Sequence, residues 1–479
     1  ASAQTITVAM GADPVTFDLH NTNDQPTSQI SRQIYDTLVV QNEDLEIEPG
    51  LAESWEAVSD TSWVFNIRQG VTWHNGDPLT AHDIVWTYDR FVNLPAQSAF
   101  LLASVESVTA VDDYTVQIDL AYPFAPILNH LAHSSLGIMN GSVVEAAGAD
   151  YGTSVVVGTG PFVFDSWQTA DRVVLQRNDN WWGGDVLPQT LVFRPIPDGT
   201  VRGIEVETGG VDIAYTLPPS AARSAENSAG VHLSAVRTLS TAYIGFNTEK
   251  PPFNNPLVRQ AINHAVDVDL IAEVVYTGQA QRATSPISSD VFGANQELEP
   301  YTYDPELARQ LLAEAGLEGG FSTSIWTNDN PQRVEIAQIV QAELANIGIQ
   351  VDVQVVEWGT YLDDTAAGLH DMFILGWVTV TGDADYGLYA LFHSTQFGAP
   401  GNRTFYANDR VDELLDAARV ATDPDERVAL YAEAQEIIQE DAPWIFLIVT
   451  TEEHGVSDAV SGFTPHPAGH HRLYNVSKN

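Results

Sequence analysis

The sequence predicts an α/β protein with at least two lobes, and three observations lead to this prediction. Short runs of β-branched and aromatic residues alternate with segments whose apolar residues recur at helical spacing. From residue 322 onward the alternation becomes regular, which is typical of a βαβ series. The chain is 479 residues long, whereas single hydrophobic cores stop growing at roughly 250–300 residues.

The first half of the chain is predicted to contain mostly strands, with two helices. Thr27–Val39 is predicted as a helix because its apolar side chains share one face. Thr80 can cap a second helix that runs through Phe91. The predicted strands are Ile6–Met10, Trp63–Ile67, a hairpin of Val105–Val111 and Tyr114–Leu120, Phe162–Trp167, Val173–Arg177 and Leu191–Ile196.

A second regime begins near Tyr243, where the strand YIGFN leads to a helix that starts near Leu257. Asp304-Pro305 opens another helix, which Gly316 ends. The ligands of a βαβ series bind at the carboxyl ends of its strands, so the loop after Trp377 is predicted to border a site. The remaining predicted elements are strand Ser322–Trp326, helix Pro331–Ile347, strand Gln350–Val356, helix Trp358–Ala367, strand Met372–Trp377, helices Val411–Ala421 and Pro424–Gln439, and strand Trp444–Val449.

The charge of the chain excludes some classes of partner. Sixty-four acidic residues against 20 basic ones give a formal net charge of −44, and the acidic residues are spread along the chain. Such a field repels nucleic acid and anionic membrane surfaces. We interpret the acidic surface as adaptation to high salt, which makes the protein halophilic. The alternative is an acidic face that attracts a cationic ligand.

The cysteine count and the N-terminus suggest an exported protein. There is no cysteine, which excludes disulfides, thiolate metal sites and a lipid-anchoring N-terminal cysteine. The N-terminal sequence ASAQTITVAM resembles what remains after a signal peptide is cleaved. The apolar run Trp444–Val449 is far shorter than the ~20 residues of a membrane span. We therefore expect a mature, soluble periplasmic protein.

No established catalytic motif occurs in the sequence. It lacks a phosphate-binding P-loop, a GxSxG nucleophile elbow and an HExxH zinc helix. The histidine groups that offer metal ligands are more typical of surface structure, so we expect neither a metal nor another cofactor. These groups are His130 with His133, and His466 with His470 and His471. Asp383 and Asp385 leave a hydrolase as the enzymatic alternative, but we expect no enzyme.

Four stretches resemble one known family over nearly the whole chain. They are PGLAESWEAVSDTSWVFNIRQGVTWHNGDPLTAHDIVWTYDRF (49–91), GTGPFVFDSW (158–167), YIGFNTEKPPFNNPLVRQAINHAVD (243–267) and YTYDPELARQLLAEAGL (301–317). The chain is identified from them as a member of the peptide-type periplasmic solute-binding proteins of ABC importers, the class that handles dipeptides, oligopeptides and nickel.

The resemblance implies a two-lobed periplasmic-binding-protein (Venus flytrap) fold of type II, cluster C, which closes about a hinge. Lobe I would comprise residues 1–45, 166–240 and 455–479, and an extra subdomain would comprise 46–165. Lobe II would comprise 241–454. Arg68, His74 and Asp83 lie in the first matching stretch, and we interpret them as structural.

The resemblance also implies where charged ligand groups would bind, and this chain departs from the pattern. In dipeptide binders an aspartate takes the α-amino group at the position that Val380 occupies here. An arginine in the loop before residue 331 takes the α-carboxylate, and this loop (326–332) contains no arginine. Its nearest matches are Thr327 and Asn328. A tight site for a free dipeptide is therefore not expected, because an unpaired buried charge costs several kcal/mol.

The loop after Trp377 can still hold a ligand through hydroxyl and backbone groups, with Asp383 as the nearest spare charge for an amine. The alternative for Asp383 and Asp385 is that they cap a helix or bind water, and the alternative for Trp377 is that it belongs to the core. The predicted ligand-binding residues are Asn21, Thr22, Asn23, Asp24, Asn328, Trp358, Trp377, Thr379, Val380, Thr381, Asp383 and Tyr386.

The predicted function is capture of a peptide, longer than two residues or modified at a terminus, and its delivery to a cognate ABC permease. The protein is expected to act as a monomer. The alternative within the same fold is a non-peptide solute: an oligosaccharide, an opine, glutathione, or a nickel or haem complex.

Overall fold

The computed structural model describes residues 4–277 and 279–479, which form two compact units. The first unit contains the chain up to Val236 and again from Glu452, and the second contains Arg237–Thr451. Residues 1–3, where the predicted processed N-terminus begins, lie outside the described residues. Among the described residues, no helix combines the length and the apolar character that a membrane span requires.

The elements follow one another in chain order, and their bounds are these. The strands are β1 Thr5–Met10, β2 Val39–Gln41, β3 Ile47–Pro49, β4 Ala52–Ser59, β5 Ser62–Ile67, β6 Val105–Asp112, β7 Thr115–Leu120, β8 Phe162–Gln168, β9 Arg172–Arg177, β10 Thr190–Pro195, β11 Ile213–Ala214, β12 Val231–Phe246, β13 Ala280–Arg282, β14 Phe321–Asn328, β15 Ile349–Val356, β16 Met372–Val378, β17 Trp444–Ser457, β18 Val460–Ser461 and β19 Ser477–Lys478. The helices are α1 Gln25–Ile34, α2 Ala81–Asn93, α3 Ile127–Leu131, α4 Gly141–Ala147, α5 Gly199–Glu207, α6 Pro219–Glu226, α7 Pro256–Ala265, α8 Val268–Tyr276, α9 Pro305–Glu314, α10 Pro331–Ala345, α11 Trp358–Ala366, α12 Ala384–Phe392, α13 Asp409–Val420 and α14 Pro424–Asp441.

The first unit is built on a mixed sheet with the strand order β11-β1-β10-β9-β8. The central strand β1 pairs in parallel with β10 and with β11, and Val8 lies opposite both Phe193 and Ile213. The inward side chains of these strands pack into one apolar core with Ile30 and Ile34 of α1. This packing fixes the position of α1 and of the loop that precedes it.

A separate four-stranded antiparallel sheet, β4-β5-β7-β6, lies within residues 52–120 of the first unit. The residues that we interpreted as structural hold this region together. Asp83 and Thr80 form a capping box at the start of α2. Arg68 donates to the Gly50 carbonyl at 3.3 Å, and the His74 ring bonds to the backbone of residues 158 and 160. These contacts give each of the three residues a structural role that requires no ligand.

The second unit contains the regular α/β alternation that the sequence predicts. Its strands follow the order β15-β14-β16-β12-β17, with β13 also paired to β17. Strand β14 runs parallel to both β15 and β16. One face of the sheet packs on α7–α10 in an apolar core that includes Ile325 and Ile374, while the stacked rings of Tyr243 and Trp444 lie 3.4 Å apart. The carboxyl ends of β14, β15 and β16 therefore share one edge.

Several predicted boundaries differ from those of the structure. Helix α1 ends at Ile34 rather than at Val39, because the Ile34 carbonyl accepts a hydrogen bond from the Gly160 N–H at 2.8 Å. Strand β17 continues to Ser457, where its end pairs with β11. The predicted loop after Trp377 is short, because a helix that the sequence analysis did not predict, α12, begins at Ala384.

Candidate functional site

A tight turn follows β16 and holds three of the predicted ligand residues. The Thr379 carbonyl accepts a hydrogen bond from the Gly382 N–H at 2.9 Å, and the Thr379 N–H donates to the Leu239 carbonyl at 3.1 Å. Gly382 has a φ of 71°, which glycine adopts without steric cost. Thr379, Val380 and Thr381 are all buried. The turn is thus a preformed part of the strand-end edge.

Two buried ion pairs neutralise the carboxylates that follow this turn. Asp383 accepts two hydrogen bonds from the Arg427 guanidinium, at 2.8 and 2.9 Å. Asp385 pairs with Arg419 at 2.7 Å. Asp383 also caps α12 through the Asp385 N–H. The expectation of a spare charge at Asp383 is therefore wrong, and the alternative that it caps a helix is confirmed.

The aromatic residues beside the turn pack on one another. The Trp377 and Tyr386 rings lie 5.1 Å apart, and both side chains are largely buried. Most of the Trp377 side chain therefore belongs to the core, as the alternative interpretation of the sequence proposed. Its indole nitrogen is nevertheless buried with no hydrogen-bond partner among the described residues.

Arg333 is a site residue that the sequence analysis passed over. It lies in the first turn of α10, and its guanidinium donates to the Asn328 side-chain oxygen at 3.1 Å. The guanidinium lies 5.9 Å from the Trp358 ring centroid. A methyl group added at Gly376 would meet its Nη2 atom at 3.5 Å. Arg333 therefore brings the end of β14 and the end of β16 together.

Helix geometry could have identified Arg333 from the sequence. Helical side chains point toward the N-terminus of their helix, so a residue in the first turn reaches back over the cap. Pro331 marks the start of α10 in the sequence, and Arg333 follows two positions later. The loop considered in the sequence analysis ends at Gln332, and Arg333 is the next residue.

Several buried polar atoms at these strand ends have no hydrogen-bond partner among the described residues. They are the hydroxyl oxygens of Thr241, Thr327 and Thr379 and the indole nitrogen of Trp377. Leaving such a group unsatisfied costs about 1–3 kcal/mol each. Because native structures satisfy nearly all buried polar groups, this edge is expected to receive partners from a ligand or from ordered water.

The predicted residues of the first unit lie in the loop that leads into α1. Asp24 caps α1 by accepting from the Thr27 N–H at 3.1 Å, and the Thr22 hydroxyl donates to Asp24. The Asn21 side chain donates to Asp18 at 2.9 Å. Asn23 is half-buried between these residues. The loop is therefore held by its own side chains.

One group of residues has the spacing of a metal site, but its hydrogen bonds do not fit a metal. Glu452, His454 and His471 each place a potential ligand atom within 4.8 Å of the others. The Thr216 N–H donates to His454 Nδ1 at 3.1 Å, and the His466 N–H donates to His471 Nδ1 at 3.0 Å. A neutral ring that accepts at Nδ1 carries its proton on Nε2. The remaining nitrogens are therefore N–H donors with no lone pair for a metal.

The other histidines that the sequence singled out bond to the backbone. His130 Nδ1 lies 3.0 Å from the Leu101 carbonyl, and His133 Nδ1 accepts from the Ser135 N–H at 3.1 Å. His466 Nε2 lies 2.7 Å from the Asn42 carbonyl. These bonds give the three rings structural roles. All five histidines that the sequence singled out are buried, so the expectation of surface structure is wrong.

Comparison with known proteins identifies the family. The sequence profile described as "Bacterial extracellular solute-binding proteins, family 5 Middle" matches residues 46–399. The chain is 34% identical to heme-binding protein A of Haemophilus influenzae, over 93% of this chain and 87% of that protein. It is 32% identical to the dipeptide-binding protein of Escherichia coli, over 90% of this chain and 86% of that protein.

The solved structures agree with the sequence comparison. The ABC transporter-associated periplasmic binding protein DppA from Helicobacter pylori, in complex with the peptide STSA, has a TM-score of 0.93 and 31% identity, with 99% of this chain and 98% of that chain covered. The predicted fold class is confirmed by this match. The chain belongs to family 5 of the bacterial extracellular solute-binding proteins.

Proposed function

We infer that this protein captures a peptide outside the cytoplasm and delivers it to the permease of an ABC importer. One observation carries the inference: Arg333 presents a guanidinium at the strand-end edge of the second unit, among buried polar atoms that lack partners. A relative with 31% identity was solved with a bound peptide. A binding protein of this family needs no catalytic group, and we propose that no reaction takes place.

The unpaired guanidinium of Arg333 favours a ligand that has a free carboxylate. No acidic side chain among the described residues forms an ion pair with it, and the one hydrogen bond of its guanidinium goes to the neutral Asn328 side chain. Guanidinium and carboxylate groups form charge-assisted, frequently bidentate hydrogen bonds. We therefore propose that Arg333 binds the C-terminal carboxylate of the peptide, in place of the loop arginine that this chain lacks.

The other predicted residues are proposed to contact the peptide through neutral groups. Thr379 and Thr381 supply hydroxyls, Val380 and Asn328 supply backbone and amide groups, and Trp358, Trp377 and Tyr386 supply apolar walls. Extended peptides bind through their main chain when neutral and backbone groups of this kind are available. From the first unit we propose Asn21, Thr22, Asn23 and Asp24, with Asp24 accepting from the peptide ammonium.

We further propose that the lobes predicted from the sequence close about a hinge when the peptide binds. Lobe I would comprise residues 1–45, 166–240 and 455–479, with residues 46–165 as its subdomain, and lobe II would comprise 241–454. A ligand favours closure only by its greater affinity for the closed state. The protein is proposed to do this as a monomer.

A ligand other than a linear peptide is the second candidate, and the names of two kinds of relative favour it. The relative with 34% identity is named for haem binding, and relatives with 31% identity are named for glutathione binding. Both ligands carry carboxylates that Arg333 could bind. The length and the chemistry of the ligand must therefore be measured directly.

Calorimetric titration of the ligand-free protein with trialanine and with trialanine amide tests the proposal. We expect trialanine to bind and its amide, which lacks the carboxylate, to bind about 10- to 100-fold more weakly, because hydrogen bonds to charged groups contribute about 1.5–3 kcal/mol. Arg333→Gln should abolish this preference, while the exposed Arg410→Gln should retain it. Equal affinity for the two peptides in the unmodified protein would disprove the role of Arg333.

A further inference from the structure

The first unit contains a cavity of about 240 Å³ that the proposed peptide site does not use. Its walls come from the C-terminal half of α1, the β2–β3 hairpin, the turn at residues 181–183 and the C-terminal segment 470–474. None of the residues proposed to contact the peptide lines it. The cavity is therefore a separate feature of the fold.

Aromatic rings form one wall of this cavity. Trp181 and Trp182 lie with their ring centroids 5.6 Å apart, and the Tyr474 ring lies 4.7 Å from that of Trp181. The Arg68 guanidinium lies 4.4 Å from the Trp182 ring centroid and helps to fix it. A preformed aromatic wall of this kind suits the flat apolar face of a small ring.

Two buried polar side chains, Asp36 and His470, also line the cavity. Asp36 is 9% exposed, and its carboxylate accepts hydrogen bonds from the Thr159 hydroxyl and the Trp182 indole nitrogen. His470 is 6% exposed, and its buried Nδ1 atom has no hydrogen-bond partner among the described residues. Burial and neighbouring cationic groups keep the pKa of His470 well below its ordinary value, so the ring is neutral. The polar wall therefore contains one neutral imidazole whose buried Nδ1 atom has no hydrogen-bond partner among the described residues.

The charges around the cavity favour a neutral occupant. Arg32 and Arg472 line it together with Asp36 and Glu48. Glu48 already lies 3.4 Å from the Arg472 guanidinium. The lining thus carries two guanidinium groups and two carboxyl groups, so it does not present charges of one sign to an occupant. A hydroxyl group can donate to a carboxylate and accept from a guanidinium at the same time.

The size of the cavity limits the occupant to a single small ring. At roughly 30 Å³ per water molecule, the volume corresponds to about eight waters. It is smaller than the roughly 300–1,000 Å³ of sites for drug-sized ligands, so it suits a small ring better than an extended peptide. We propose that this cavity is a second binding site, for one neutral polyol ring such as a monosaccharide or a cyclitol.

Saturation-transfer NMR with D-glucose, D-galactose and myo-inositol tests this site in the full chain. We expect saturable binding of at least one of the three, weakened at least tenfold in His470→Ala and unchanged in the exposed His82→Ala. His470 makes no side-chain hydrogen bond to the described residues, so its removal costs only packing, chiefly against the His466 ring at 5.1 Å. If His470→Ala does not fold, a crystal of the unmodified protein soaked with myo-inositol replaces it, and density for the ring in the cavity is the expected result.

Two results would overturn the proposal: no saturable binding of any of the three probes, or binding that His470→Ala leaves unchanged. In either case the cavity holds only water. Arg333→Gln should retain polyol binding, and His470→Ala should retain trialanine binding. The two sites can therefore fail independently, and the experiment distinguishes their failures.

Discussion

Asp383 and Arg427 show how a single contact changes the interpretation of a loop. The two residues are 44 positions apart, and both side chains are largely buried, with 12% and 5% of their surfaces exposed. The pair leaves the carboxylate with no charge to offer to a ligand. Its role is instead to fix the start of α12 beside the Thr379 turn.

Removing one partner of this pair should destabilise the protein strongly. Asp383→Ala leaves the Arg427 guanidinium buried without a counter-charge, which costs about 3–5 kcal/mol. Urea unfolding measures this loss. The exposed pair Arg410 and Glu433 is a matched control, and Glu433→Ala should cost at most about 1 kcal/mol. A similar small loss for both variants would show that the buried pair does not hold α12.

Glu452 predicts a specific pH dependence of stability. Burial raises the pKa of this carboxyl to about 7 from its ordinary value of 4.5. Between these values the folded state keeps a proton that the unfolded state has lost. The contribution of Glu452 to the free energy of unfolding is therefore greatest below pH 4.5 and falls as the pH rises to about 7.

Glu452→Gln tests this dependence because glutamine does not titrate. Its free energy of unfolding, measured by urea titration at several pH values, should fall less steeply between pH 4.5 and 7 than that of the unmodified protein. Glu343, whose pKa burial also raises to about 7, is unchanged and leaves a residual slope. The exposed Glu433→Gln should keep the full slope. Identical slopes for Glu452→Gln and the unmodified protein would contradict the account.

At the scale of the element, α12 depends on its close approach to the turn after β16. A Cβ atom added at Gly387 would lie 2.4 Å from Ile287 Cγ2 and 2.7 Å from the Thr379 hydroxyl oxygen. Both distances are shorter than van der Waals contact. The helix can therefore pack on this turn only because position 387 has no side chain.

Gly387→Ala should lower the free energy of unfolding by about 1–3 kcal/mol, as overpacking of a core does. It should also weaken ligand binding, because α12 must move away from Thr379. Gly359→Ala in α11 is the control, since its added methyl would meet only the Glu357 carboxylate at 3.4 Å. That variant should be neutral or more stable by up to about 1 kcal/mol. Equal stability of Gly387→Ala and the unmodified protein, measured by urea unfolding, would show that the contact is not tight.

Sequence periodicity predicted the elements that form locally, and it failed where distant residues intervene. The series from β14 to β16 was predictable because each strand and helix carries its own apolar pattern and its own breakers. The end of α1 was not, since it depends on Gly160. The loop after β16 followed from its position in that series, whereas Asn328 and Val380 followed from the family resemblance. The ion-pair partners Arg427 and Arg419 were not predictable, because nothing local in the sequence links them to Asp383 and Asp385.

At the scale of the whole molecule, the net charge of −44 sets a dependence on salt. Self-repulsion among the acidic residues destabilises the compact state. Screening shortens the Debye length from about 10 Å at 0.1 M salt to about 3 Å at 1 M. We expect the free energy of unfolding to rise as KCl is added, measured by thermal unfolding. Sorbitol at equal osmolality is the control, and stability that is independent of KCl would contradict salt adaptation.

The central claim is that the protein carries a peptide, and mass spectrometry of the material released on denaturing the purified protein tests it most directly. The account predicts a set of masses that differ by amino-acid residues and fragment as peptides with free C-terminal carboxylates. A single non-peptide mass, such as a haem or a sugar, would contradict the claim while leaving the family assignment intact.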